Sequence, residues 1–112
     1  MPKSILPKLI QRPKRVHDTR VCTAHRAWVR KHKCSVPECD RLPIECAHVR
    51  SGTDGGTALK PSDRWLLSLC AYHHQQQHCI GEAAFEKRHA IDLKELSTAF
   101  AQQSPYKSNL KT

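Results

Sequence analysis

The stretch that decides the fold begins Cys34-Ser35-Val36-Pro37-Glu38-Cys39. It continues with Pro43-Ile44-Glu45-Cys46-Ala47-His48-Val49-Arg50 and closes with Leu69-Cys70-Ala71-Tyr72-His73-His74-Gln75-Gln76-Gln77-His78. Four soft metal ligands fall in two close pairs, Cys34 with Cys39 and Cys70 with His73. Pro37 fixes one dihedral of the turn between the first two, so both sulfurs can converge on one ion. Two chelating pairs separated in this way suit a tetrahedral structural zinc with no open position. The bland alternative is a set of buried thiols in a small core.

The same stretch carries a second group of histidines. Ile44 to Arg50 reads as a strand in which Ile44, Cys46 and His48 share a face, while Glu45 points to the opposite one. Ser51-Gly52-Thr53-Asp54-Gly55-Gly56-Thr57 reads as an irregular loop, closed by Lys60-Pro61-Ser62-Asp63. Trp65 to Leu69 reads as a second strand, antiparallel to the first. Cys70 to Ile80 reads as a helix ended by Gly81 in a left-handed conformation. On that helix His74 and His78 are four residues apart and share a face. They can hold one divalent ion from one side and leave positions open. An open ion beside a free His48 is what metal-assisted hydrolysis requires, because imidazole accepts a proton near neutral pH. About half of such helical histidine pairs are incidental, and the strand–loop–strand–helix context strengthens this one.

The surrounding chain supports this segment. Its 112 residues suffice for one compact domain, and an apolar fraction of 38% with few aromatics leaves a modest core that metal coordination would reinforce. The formal net charge is +9, which points to a polyanionic partner. Residues 1–33 hold ten basic residues and one acid, Asp18, whereas residues 34–112 hold nine of each. Residues 1–18 therefore read as a basic, proline-broken, flexible arm whose Arg12, Lys14 and Arg15 would track phosphates. Residues 19–105 read as the single domain and 106–112 as a C-terminal tail. No apolar run is long enough to span a membrane, and the N-terminal segment lacks the apolar core of a signal peptide. A cytoplasmic, reducing setting is expected, in which clustered Cys and His bind metal rather than form disulfides.

Flanking helices are expected over 19–33, over Glu82 to His89, and after Asp92, which caps a helix in a box with Glu95. Ser104-Pro105 stops the last one. Trp28 reads as a core anchor, His25 and His32 as packing residues, and Arg26, Arg30 and Lys33 as a separate polar face. Cys46 reads as a small buried residue, Cys22 and Cys79 as structural thiols, and His89 as a surface residue.

Taken together, Cys34-x4-Cys39, Pro43-Ile44-Glu45-Cys46-Ala47-His48-Val49-Arg50, Gly52-Thr53-Asp54-Gly55-Gly56, Lys60-Pro61-Ser62-Asp63 and Leu69-Cys70-x-x-His73-His74-x3-His78 resemble the HNH, or ββα-metal, endonucleases. Within them, the likeness is to the phage-associated branch that includes the Ref recombination nuclease. It covers roughly residues 28–105. The resemblance implies a small α+β fold, a zinc-stapled ββα-metal core flanked by helices. It implies an HNH-type endonuclease that hydrolyses DNA phosphodiester bonds with low sequence specificity. His48 would be the general base, and His74 and His78 would hold a catalytic Mg²⁺, Mn²⁺ or Zn²⁺ ion. Arg50, Lys60 and Arg64 flank this site and could grip phosphates. The DNA could be single-stranded, duplex or branched, and other phage or host recombination proteins are conceivable partners.

Two positions depart from the family pattern. Ala47 stands where many members have a metal ligand before the base, and the middle Asn is missing, with Trp65 and Ser68 near its place. Asp63 is the candidate to complete or orient the site, ahead of Glu45. The competing readings are a non-catalytic zinc-dependent nucleic-acid-binding module and a purely structural zinc domain that contacts proteins through its last helix. The second leaves the basic arm unexplained.

Overall fold

The structure is a computed structural model, which describes residues 20–56 and 59–110. The proposed phosphate contacts Arg12, Lys14 and Arg15 lie outside the described residues, as does the rest of the basic arm, residues 1–18. The chain is a small α+β unit with four α-helices and one two-stranded sheet.

The sheet pairs β1 (Ile44–His48) with β2 (Leu66–Cys70) in antiparallel register, Ile44 opposite Cys70 and His48 opposite Leu66. All five residues of β2 are buried. Its near-continuous apolar run Leu66-Leu67-Ser68-Leu69-Cys70 lacks a polar alternation because helices cover it on both sides. Ser68 is the exception, and its hydroxyl donates to the Lys33 carbonyl at 2.6 Å. With the Ser35 N–H donating to the Ser68 carbonyl at 2.8 Å, this docks the Cys34–Cys39 knuckle onto the strand. Ser68 is thus a structural anchor. The second strand starts one residue later than the sequence suggests, because Asp63–Trp65 forms a 3-10 turn, and β1 ends at His48 rather than Arg50.

Helix α1 (Thr23–Val29) is shorter than the expected 19–33, and no side chain caps its N-terminus. His25 and Val29 are buried on its inner side, whereas Val21 and Ala24, placed on the same face by periodicity, are exposed. Trp28 and His32 pack edge-on against Phe100, so both act as packing residues. Helix α2 (Ala71–Ile80) follows β2 directly, with Cys70 as its N-cap. At its end Gly81 has φ 86° and ψ 159°, a region accessible to glycine but outside the left-handed helical well. This sharp corner starts α3 (Glu82–His89) at once. Asp92 caps α4 (Leu93–Gln103) by accepting the Glu95 N–H at 3.0 Å. Glu86 accepts the Leu93 N–H at 2.8 Å.

The core joins Ala47, Val49, Leu67, Leu69, Phe85 and Leu93 with Val36 and the thiols of Cys34 and Cys70. Placing candidate metal ligands in the apolar cluster suits a small domain with few aromatics. Beyond Ser104, a further 3-10 turn (Lys107–Asn109) leads to a buried Leu110, so packing continues into the segment read as a tail. Among the described residues no helix is long and apolar enough to cross a membrane.

Candidate functional site

Cys34, Cys39, Cys70 and His73 converge. One ligand atom from each lies within 4.8 Å of all the others, the one such cluster among the described residues. His73 Nδ1 is 3.5, 3.4 and 3.3 Å from the sulfurs of Cys34, Cys39 and Cys70. The Cys39 and Cys70 sulfurs are 3.9 Å apart. With zinc–sulfur and zinc–nitrogen distances of about 2.3 and 2.0–2.1 Å, tetrahedral corners fall roughly 3.5–3.8 Å apart, so the donor set fits such an ion. Burial pushes the Cys34 thiol up to about 11, a cost that a cation among the sulfurs would reverse. The His73 N–H points at Cys70 Sγ, 3.4 Å away, adding the positive end of α2 to the same center. His73 packs edge-on against Phe85 and His89. His89, expected at the surface, is half-buried, with Nε2 donating to Gln76 Oε1 at 2.6 Å. It walls the cluster.

A cleft of about 620 Å³ is lined by His48, His74 and His78 together with Glu45, Cys46 and Gln77. Arg26, Arg30, Arg50 and Lys60 also line it. The Nε2 atoms of His74 and His78 are 3.2 Å apart, close to the roughly 3.3 Å that two nitrogens of one tetrahedral ion would span. His48 does not join them in a closed cluster. Its Nε2–H donates to Asp63 Oδ1 at 3.1 Å, which leaves Nδ1 as the acceptor of a neutral ring.

Asp63 therefore orients His48 and is not an open ligand. It is 1% exposed, and its oxygens also accept from Arg26 Nε at 2.6 Å, Arg26 Nη2 at 2.9 Å and the Cys22 N–H at 2.7 Å. Burial alone would raise its pKa. The bonds from His48, Arg26 and Cys22 outweigh that and hold it at about 2.

Glu45 stands closer to the histidine pair than strand alternation suggests. Its Oε1 accepts His74 Nδ1–H at 2.8 Å, which turns the Nε2 lone pair of His74 toward His78. A carboxylate behind a metal-binding imidazole is the usual way its tautomer and ring angle are set. Strand alternation sets Glu45 opposite His48, yet both line the cleft beside His74. Asp63, the candidate to complete or orient the site, holds His48, and Glu45, ranked below it, holds His74. Ala47 is fully buried in the core and offers no ligand.

Three further residues escaped the sequence reading. Arg26, assigned to a polar face, is the guanidinium that clamps Asp63. Arg30 lines the cleft with its Nη1 3.8 Å from Cys46 Sγ. Gln77, 3% exposed, donates to the His48 carbonyl at 3.3 Å and ties the His48 strand to the helix of His74 and His78. Spacing alone held one usable signal: Gln77 is three residues after His74, on the same face.

Some expectations fail. Arg64 does not line the cleft, because its guanidinium stacks on Trp65, 4.6 Å from the ring center. Cys46 is half-buried at the cleft wall, and burial raises its thiol pKa. Cys79 is exposed and not a structural thiol. Arg50 and Lys60 do reach the cleft. No family model matches this chain, and no curated protein and no solved structure matches it either.

Proposed function

We propose that this protein is a metal-dependent endonuclease of the HNH type, with a structural zinc on Cys34, Cys39, Cys70 and His73. The observation that carries the reading is the cleft shared by His48 and the His74–His78 pair, with Asp63 behind His48 and Glu45 behind His74. When bound on His74 and His78, a divalent ion supplies charge stabilisation at the phosphoryl oxygens and the leaving 3′ oxygen. His48 Nδ1 takes a proton from water, whose oxygen attacks phosphorus as the P–O3′ bond breaks. Asp63 stabilises the imidazolium that forms and keeps its ring in place. Arg50 and Lys60 neutralise backbone phosphates. The ββα-metal assignment of the sheet and α2 belongs to the same proposal.

A non-catalytic nucleic-acid-binding module is favoured by one observation, the burial in the core of Ala47, which stands where many members of the resembled family have a metal ligand. Supercoiled plasmid incubated with Mg²⁺, Mn²⁺ or Zn²⁺ separates the two. The endonuclease nicks it and His48→Ala does not. Retained DNA binding with no nicking under any metal would leave the binding module.

A further inference from the structure

The cleft contains more positive charge than its own acids neutralise. Glu45 is engaged by His74, and Glu82 accepts the Arg50 and Ser51 N–H groups at 2.8 and 2.9 Å. Asp63 holds Arg26. Arg30, Arg50 and Lys60 have no acidic partner among the described residues, although all three line the cleft. Unpaired cations gathered at one cleft call for an anionic ligand.

The way basic residues are placed about α1 is informative. Arg20, just before the helix, donates to the Lys60 carbonyl at 2.7 Å and so fixes Lys60 near its N-terminal end. Arg26, in the middle, meets Asp63 and through it His48. Arg30 caps the C-terminal end. The seven residues of α1 span about 10 Å, room for more than one backbone phosphate of a strand.

We infer that α1 is a backbone rail, with Lys60 and Arg30 binding phosphates on either side of the position that His48 faces, so that the ligand is a nucleic-acid strand lying along the helix. This rests on the reading of the cleft as a phosphodiester site, but it is tested by binding and needs no turnover. Arg30 adds what the sequence did not assign, a base-independent contact from the C-cap of α1.

The test measures binding of a short duplex and of its single strand to the full zinc-loaded chain carrying His48→Ala, as a function of salt. Arg30→Ala should lower the slope of log affinity against log salt by about 0.9 for duplex or about 0.7 for single strand. Arg30→Ala with Lys60→Ala should lower it by about twice that. Arg30→Lys should keep the slope, and Lys107→Ala, on the turn after α4, should not change it. Zinc content and circular dichroism guard against misfolding. An unchanged slope in Arg30→Ala, or an equal loss in Lys107→Ala, overturns the rail. A reduced slope in a protein that nicks nothing upholds the rail while the catalytic reading fails.

Discussion

His48 and Asp63 form a hydrogen-bonded pair at 3.1 Å in which the acid is buried and the imidazole is half-exposed at a cleft. The acid is itself gripped by Arg26, so the ring nitrogen left over is Nδ1. If His48 is the base, His48→Ala should slow plasmid nicking by about 10²–10⁴-fold. Asp63→Asn should also slow it while zinc content stays unchanged. Equal nicking by wild type and His48→Ala would remove His48 from the chemistry.

Asp63 also gives a pH prediction. Its folded pKa of about 2 lies below the ordinary 3.8, so the ionised form stabilises the fold. That contribution, about 2 kcal/mol, is fully present above pH 3.8 and is lost as pH falls toward 2. The carboxyl carbon of Asp63 should show no titration in an NMR series from neutral pH down to pH 4. A midpoint near 4 would show that Arg26 and His48 do not hold it.

Removal of the structural ion should unfold the domain. Cys34→Ser and Cys70→Ser should each lose zinc and the cooperative thermal transition, and a strong chelator should do the same to wild type. His78→Ala should keep both zinc and fold while losing activity. One zinc per chain that survives mutation of Cys70 would place the ion elsewhere.

Glu45 should tune the second site without building it. Glu45→Gln should weaken Mn²⁺ binding to the zinc-loaded protein by about 10–100-fold, as read by calorimetry, with little change in melting temperature. Unaltered Mn²⁺ affinity would reduce the 2.8 Å contact with His74 to a surface hydrogen bond.

Much of the architecture is local and therefore readable. Helix α3 follows from Gly81 and the Glu82–His89 segment, and the Asp92 cap starts α4 where its amide donors need an acceptor. The Cys34–Cys39 and Cys70–His73 pairs are set by short spacings, so their convergence is half built before folding. Arg26 and Arg30 could not be read in this way, and Gln77 only through its helical spacing from His74. Their roles depend on partners far along the chain, and a charged residue on a helix gives no sign of which surface it will meet. Arg64 is the reverse case, a cation in the right segment that Trp65 turns away.

The sequence by itself determined the ligand types, their pairing and the elements that carry them, because each depends on contacts within a few residues. Only the tertiary structure decided which carboxylate stands behind which histidine. Alternation on a strand tells faces apart, but the α2 packing brings His74 to Glu45, and the 3-10 turn brings Asp63 to His48. Those pairings are set by how the elements dock, and docking is fixed by the shared apolar core around Leu67, Leu69 and Phe85.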